Sequence, residues 1–394
     1  MHPRQFISSL AFAAALAGAV NGVLGAQQAD TTRPPPASTG PTNPRLLPDL
    51  SVVGDLVFDL SPKGSTQESG KRFGVREIEV ALQAAVDPYF RGDIYFGFSD
   101  DEGVSIEQAF LTATALPWQL EGRLGRFIVP FGKQNLTHRH DLHTLEYPWV
   151  IQQFLGAEGL KGTGAYLSKV FSPFGFYQEA IFTVLDGFGE PAEDLTASEP
   201  ANQDLSGLGY TARLRNYWDL TQNANLEISA SAGTGKLPQP ISSSGEFNAI
   251  NAHQSVIGVD VTYRWRPLRQ GLYRSLIVQA EYLRQINEQN PDYPEGVDSD
   301  DYLGPRLSFD GAYLFARYQL TRRGHVGVRG DLVEDPAADG ATLHAASAYY
   351  EFFPSEFSKL VAGYERVWRQ GQAGENRLVL QATFALGPHR PHPF

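Results

Sequence analysis

Three histidines lie within six residues of one another, and acidic residues accompany them. The stretch contains His138, His140 and His143, together with Asp141 and Glu146. Side chains two positions apart point the same way in an extended segment, so His138 and His140 could bind one transition-metal ion. The same residues could instead form hydrogen bonds that hold a loop against its surroundings. They could also make the segment sensitive to pH, because histidine titrates near neutrality.

Catalysis is another use for such residues. A serine hydrolase needs a serine, a histidine and an acid in contact, but the chain has no G-x-S-x-G stretch. The glycine-rich segments 159–164 and 233–236 lack the spacing of a phosphate loop and a helix after it. We therefore predict that the protein is not an enzyme and needs no cofactor. A hydrolase that uses His138 or His140 is the alternative from the enzyme class.

The N-terminus predicts export. Residues 1–26 contain a positive charge, an apolar run and then small residues that end at Ala26, which is the order of a secretory signal peptide. Residues 27–48 are rich in proline and predict an extended periplasmic linker. Residues 49–394 remain for the folded domain. The chain contains no cysteine, so an exported protein of this sequence does not rely on disulfides.

The composition narrows the protein class further. A formal net charge of -12 argues against nucleic acid as a partner. After residue 26, no apolar run approaches the length that a membrane-spanning helix requires. The chain is therefore either a water-soluble protein or a membrane protein built from strands.

Apolar and polar residues alternate along most of the chain. In residues 254–265, Ile257, Val259 and Val261 form one face, while Asp260 and Arg264 lie on the other. Residues 323–333 and 377–386 show the same period of two. A membrane barrel turns such apolar faces toward lipid and lines a wet lumen with the charged faces.

The connections between strands favour the membrane barrel. We count about sixteen candidate strands, a usual number for a barrel pore. Long connections alternate with short ones. The long ones include 131–161, 236–253 and 288–308, and the short ones include 87–88, 172–174 and 353–355. An up-and-down barrel in an outer membrane has long external loops and short periplasmic turns. We predict an all-β fold: one up-and-down antiparallel transmembrane barrel of about sixteen strands.

The connection 131–161 is the third external loop by strand order. A short helix is predicted near its end, because Val150, Ile151, Phe154 and Leu155 have helical spacing between Pro148 and Gly156. A short amphipathic helix needs an apolar surface, and we expect the loop to fold into the barrel and narrow it. The predicted constriction or ligand contacts are Lys133, His138, Arg139, His140, Asp141, His143 and Glu146.

Charged residues on the predicted inner faces are the candidate pore lining. The predicted lining residues are Glu121, Arg123, Arg213, Arg215, Arg264, Arg329 and Arg377. Acidic residues share these faces, among them Glu77, Glu79, Asp93, Glu227, Asp331 and Glu365. A lining of both signs does not by itself predict a preference for anions.

One segment resembles a known family. Residues 124–132, LGRFIVPFG, are similar to the G-x-F/K-x-x-P-F-G segment of the phosphate-selective porin family, which ends one strand and begins the third loop. The resemblance implies an outer-membrane channel for small solutes, often anions such as phosphate, and often a homotrimer. The chain departs from the phosphate-specific members because its loop and lumen lack a dense row of lysine and arginine.

Together these features predict a porin in the outer membrane of a Gram-negative-type bacterium. Its partners would be the lipid bilayer, the outer-membrane lipid and small hydrophilic solutes, which would pass by passive diffusion. The alternative is a receptor that captures a metal ion or another ligand at its external loops. Such a receptor would have no plug domain, because the linker is too short to form one.

Overall fold

Alternating side chains produce long antiparallel strands. The structure, a computed structural model, describes residues 48–387 except residues 68, 100–102, 190–203, 241–248, 288–307 and 337–339. The predicted signal peptide and nearly all of the predicted linker lie outside the described residues. The described part contains the strands β1 (Asp49–Asp59), β2 (Phe73–Ala85), β3 (Phe90–Ser99), β4 (Gly103–Ala113), β5 (Leu120–Ile128), β6 (Lys161–Phe171), β7 (Tyr177–Leu185), β8 (Gly209–Thr221), β9 (Ala224–Pro240), β10 (Ala249–Trp265), β11 (Leu276–Asn287), β12 (Ser308–Gln319), β13 (Gly324–Asp335), β14 (Ala341–Ser355), β15 (Ser358–Arg369) and β16 (Glu375–Leu386).

The strands close into one barrel. Each strand pairs antiparallel with the strand before it and the strand after it in the chain, and β1 pairs with β16. This arrangement confirms the predicted up-and-down barrel of sixteen strands. Among the described residues, no helix has the length and apolar character needed to cross a membrane.

The two faces of the wall have opposite chemistry. On β10, the outward side chains of Ile257 and Val259 are 46% and 51% exposed, whereas the inward Asp260 is 1% exposed. On β13, Val328 points outward while Arg329 points inward and is buried. A water-soluble barrel would show the reverse pattern, so the outer surface has the apolar character expected of a surface in lipid.

The connections differ in part from the predicted alternation. At the end that carries the long loops, the connections after β3, β13 and β15 are short. The predicted loop 236–253 is shorter than expected, because β9 and β10 remain paired up to Pro240 of β9 and Ala249 of β10. The predicted turn at 353–355 lies inside β14, where the register with β15 shifts between Phe352 and Ser355. Pro354 has no N–H for the ladder, which fits an irregularity in a strand as well as a turn.

The hydrophobic core lies inside the barrel. It forms between the connection 129–160, which we call the inner loop, and the inner faces of the strands. The helix α1 (Trp149–Leu155) lies in this loop, with Pro148 before it and Gly156 after it at a φ of 111°. Val150 and Ile151 are fully buried in this core.

Gly311 on β12 allows the helix to approach the wall closely. A Cβ atom at Gly311 would lie 2.4 Å from Cγ2 of Val150 and 2.9 Å from Cγ2 of Val333. Any side chain here would therefore push α1 away from β12. The helix also contacts β11 and β13, so it rests on the wall opposite the strands from which the loop departs.

Candidate functional site

The inner loop is closed at its base by backbone and amide hydrogen bonds. The N–H of Val129 donates to the carbonyl oxygen of Leu160 at 3.0 Å, which extends the β5–β6 ladder by one step. The side-chain amide of Asn135 donates to the carbonyls of Val129 and Leu160 at 2.8 and 3.0 Å. Its oxygen accepts from the N–H of Leu160 at 2.6 Å. The loop therefore leaves and re-enters the wall at one point.

Hydrogen bonds then attach the first part of the loop to β9 and β11. The N–H of Gly132 donates to Oγ of Ser231 at 3.0 Å, and the N–H of Gln134 donates to Oε2 of Glu281 at 3.3 Å. Gly132 has a φ of 60°, and a Cβ there would meet the Glu281 carboxylate. The polar inner face of the barrel thus satisfies backbone groups that the loop buries.

The later part of the loop is attached to β2, β13 and β15. Lys359 donates to the carbonyl oxygens of His140 and Leu142 at 2.6 and 3.0 Å. Arg76 donates to the carbonyl of Leu145 at 3.0 Å, and the N–H of Trp149 donates to Oδ1 of Asp331 at 3.0 Å. The loop leaves the wall between β5 and β6, and its attachments to β9, β11, β13, β15 and β2 follow the barrel round to the opposite side, so the loop crosses the lumen.

Lys133, a predicted constriction residue, belongs to a dense cluster of charges. Its Nζ lies 3.1 Å from Oε1 of Glu227, and Arg215 donates to the same oxygen at 3.0 Å. Arg213 and Arg264 lie 3.8 and 3.5 Å from this carboxylate. Burial, together with the charges of these arginines, lowers the pKa of Lys133 to about 8, although Glu227 opposes the shift.

His138 is buried against β2 and β4. Its Nδ1 lies 2.8 Å from Oε2 of Glu79, and its Nε2 lies 2.9 Å from Nε2 of Gln108. The N–H of Ile128 donates to Oε1 of Gln108 at 3.1 Å, so the amide nitrogen of Gln108 faces the imidazole and donates to it. His138 therefore carries its proton on Nδ1 and donates to Glu79.

His140 lies beside His138, with a ring separation of 5.4 Å. Its Nδ1 is 4.0 Å from Glu77, and its Nε2 is 3.8 Å from the predicted site residue Asp141. Burial alone lowers the pKa of His140, but the nearby carboxylates of Glu77 and Asp141 outweigh it and raise the pKa to about 9. The structure thus brings the two predicted metal ligands together.

The remaining predicted loop residues pair with other partners. Arg139 donates to Glu146 at 2.9 Å, and Arg76 donates to the second oxygen of Glu146 at the same distance. Burial raises the pKa of Glu146, but the two arginine charges outweigh it and lower the pKa below the usual value. His143 lies 3.5 Å from Glu351, away from the other two histidines. Burial and the charge of Arg317 lower the pKa of His143.

The predicted pore-lining residues all lie on inner faces and form ion pairs. Arg329 donates to Asp331 and Glu365 at 2.7 and 3.2 Å. Arg377 lies 3.7 Å from the same Glu365, and Arg123 pairs with Glu121 at 2.7 Å. The fixed positive charges of the lining are thus largely balanced by neighbouring carboxylates.

Two cavities lie on either side of the inner loop. One of about 200 Å³ is lined by residues that include Arg139, Glu146 and Arg377. Another of about 470 Å³ is lined by residues that include Lys133 and Arg264. The two sets of lining residues, both within the described part of the chain, do not overlap. The loop thus divides the lumen between them.

Several contacts of the site were not predicted from the sequence. The ring of Trp149 contacts two guanidinium groups, those of Arg369 and Arg377, at 5.0 and 4.9 Å from its centroid. Asp55, on the inner face of β1, accepts from Arg76. The alternation of β1 places Asp55 inside the barrel and could have identified it. Asn135 has no comparable sequence signal, because its role depends on how the loop closes.

Two sequence comparisons relate the chain to known proteins. No protein-family model matches the chain. An uncharacterized protein of Aquifex aeolicus is 28% identical to it, over 89% of this chain and 80% of the relative.

Solved structures similar to the chain are outer-membrane proteins. OmpT of Vibrio cholerae in its trimer form aligns with a TM-score of 0.55 at 10% identity, over 86% of this chain and 99% of that one. The anion-selective porin of Comamonas acidovorans aligns with a TM-score of 0.53 at 11% identity over the same shares. The outer-membrane channel DcaP of Acinetobacter baumannii gives 0.51 at 14% identity, over 86% of this chain and 96% of that one. The chain has the fold of the outer-membrane porins. At these identities the likeness establishes the fold alone.

Proposed function

We propose that the protein is an outer-membrane porin, a passive diffusion channel for small hydrophilic solutes and ions. The observation that carries the proposal is the closed barrel with charged side chains inside and apolar side chains outside. Only a membrane lets such an outer surface avoid water, and a charged lumen supports a path for polar solutes. The location would be the outer membrane of a Gram-negative-type bacterium.

The inner loop would form the constriction of this channel. It crosses the lumen and separates two cavities, so solutes would have to pass between its polar side chains and the wall. A narrow path of this kind selects by size and charge. The predicted contact residues Lys133, His138, Arg139, His140, Asp141, His143 and Glu146 all belong to this loop.

Solute preference follows from the charges along the path. The cavity beside Arg139 and Arg377 also presents Glu146 and Glu365, so it offers contacts to both ion signs. The larger cavity is lined by Lys133, Arg264, Arg266 and Arg317 and by the carboxylate of Asp141. The carboxylates of Glu227 and Glu351, which pair with three of these cations, are fully buried, so the charge exposed on that side of the loop favours anions. We propose a general channel with a modest preference for anions, among which phosphate would be one.

Conductance in planar lipid bilayers tests the function. The mature chain, refolded in detergent, is expected to give steady open steps, and a salt gradient is expected to give a reversal potential on the anion side. Added phosphate would reduce chloride current if the constriction binds it. A chain that inserts into the bilayer and gives no current would contradict the proposal.

A receptor without a plug is the second candidate. The cluster of Glu79, His138 and His140 favours it, because these side chains could hold a metal ion. Absence of current together with tight ligand binding would support the receptor. We propose a homotrimer for either function, by likeness to the trimer form of OmpT. The mass of the detergent-solubilised assembly, measured by analytical ultracentrifugation, tests that assembly.

A further inference from the structure

Three potential metal ligands meet where the inner loop touches the wall. Glu79 comes from β2, and His138 and His140 come from the loop, and each side chain is more than nine-tenths buried. One ligand atom from each lies within 4.8 Å of the others, and Nδ1 of His138 lies 2.8 Å from Oε2 of Glu79. A tetrahedral zinc ion with bonds of about 2.1 Å holds its ligand atoms about 3.4 Å apart. Small side-chain rotations would therefore complete the site.

We propose that Glu79, His138 and His140 bind one divalent transition-metal ion of the zinc class, which links the inner loop to β2. Two imidazoles and one carboxylate are a ligand set that zinc accepts, with water in the fourth position. Magnesium and calcium prefer oxygen ligands, so the two imidazoles select against both ions.

The surrounding charges favour a dication. Glu77 and Asp141 lie 4.0 and 3.8 Å from the ring nitrogens of His140, close enough to attract a bound ion without ligating it. Lys359 donates to the backbone carbonyl of His140 and not to its ring, so it holds the loop without occupying a ligand atom.

Gln108 limits the affinity of this site. A metal at Nδ1 of His138 displaces the proton there, and the neutral imidazole then carries its proton on Nε2. That N–H would face the amide nitrogen of Gln108, which is held in place by the N–H of Ile128. A glutamate at position 108 could accept from Ile128 and from Nε2 of His138 together. Gln108→Glu should therefore strengthen metal binding, as a carboxylate behind a ligating histidine does.

The proposal goes beyond passive diffusion and does not rest on it. Binding is measured on the detergent-solubilised chain without reference to current, so a failure of the metal site and a failure of the channel function remain distinguishable. If the channel function also holds, the bound ion would fix the loop at the constriction and reduce its motion.

Calorimetric titration with zinc chloride tests the site. The mature chain is first stripped with a chelator, and we expect one zinc ion per barrel and no saturable heat from magnesium. His140→Ala is expected to lower the affinity at least about 10-fold, and Gln108→Glu to raise it about 10-fold. Since His140 is buried, its variant could fail to fold, and Gln108→Glu then decides the question. Folding of each variant is checked by the heat-dependent gel mobility of the barrel.

Two controls exclude other histidines. The C-terminal His389 and His392 form another closely spaced pair in the sequence, and changing both to alanine should leave the affinity unchanged. His344 is exposed on the outer face of β14, and His344→Ala should also have no effect. Loss of binding in the C-terminal variant, no saturable binding in the parent, or an unchanged affinity in Gln108→Glu would each overturn the proposal.

Discussion

Lys133 offers a direct way to relate a single charge to ion preference. Its side chain lines the larger cavity and lies 3.1 Å from Glu227. Burial and the nearby arginines lower its pKa to about 8. Lys133 should therefore be charged at about pH 6.5 and largely neutral at about pH 9.5, whereas an ordinary lysine remains charged up to about pH 10.4.

The size of the effect follows from Coulomb's law. A unit charge about 8 Å from a permeating ion changes the energy of that ion by about 0.5 kcal/mol in water. Screening at 0.1 M salt reduces this to about 0.2 kcal/mol. Since anions and cations respond in opposite directions, removing the charge should change the permeability ratio about 2-fold toward cations.

Reversal potentials of Lys133→Met and the parent, measured at both pH values, test this reasoning. The two proteins should differ about 2-fold in permeability ratio at about pH 6.5 and should converge at about pH 9.5. Arg264→Gln is the matched control, because Arg264 lies 3.5 Å from the same Glu227. An arginine side chain keeps its charge over this range, so that variant should differ from the parent at both pH values. A difference between Lys133→Met and the parent that persisted at the higher pH would refute the argument.

Other changes test how the inner loop is held. Ile151→Ala empties a fully buried position and should lower the free energy of unfolding by about 2–5 kcal/mol in a urea titration. Val150→Cys combined with Gly311→Cys should form a disulfide in a chain without cysteine, since the Cβ atoms would lie 3.0 Å apart and α1 needs to move by less than about 1 Å to reach the usual spacing of about 3.5–4.5 Å. If a non-reducing gel showed no cross-link, α1 would not pack against β12 as described. Glu227→Gln should cost about 3–5 kcal/mol because it removes the carboxylate that pairs with the buried ammonium of Lys133. Glu121→Gln, at a half-exposed ion pair, should cost less than about 1 kcal/mol.

The barrel could be predicted from the sequence because each strand has apolar residues on its outer face and polar residues on its inner face. From Ile257 to Trp265 on β10 and from Val326 to Leu332 on β13, the outward residues are apolar or glycine and the residues between them face inward, so the period of two gives both the strand and its orientation. The helix ends were also predictable, since Pro148 precedes α1 and Gly156 adopts a positive φ after it. The alternation and the helix-end residues are local signals, because each depends only on residues that are close together in the sequence.

The exact ends of several strands could not be predicted. Pairing between β9 and β10 continues through residues that read as a loop, and β14 continues past Pro354. Strand length depends on whether a partner strand is present at that height of the barrel, which the residues of one segment do not encode.

The site was predicted only in part for a similar reason. The rings of His138 and His140 are neighbours, but not for the predicted reason, because Arg139–Asp141 form a 3-10 helix and not an extended segment. Their partners Glu79 and Gln108 come from other strands, and their approach depends on the path of the loop across the lumen. His143 has the same residue type and nearly the same position, yet it faces Glu351 on the far wall.

The single-channel conductance of a barrel without its inner loop tests the central claim most directly. Val129 already donates to Leu160 at 3.0 Å, so residues 131–158 can be replaced by a short turn that joins β5 and β6 without distorting the wall. If the loop is the constriction, the shortened protein should conduct several-fold more current per channel than the parent, because a barrel of sixteen strands is otherwise wide. Equal conductance in the two proteins would show that the loop does not narrow the path and would contradict the account.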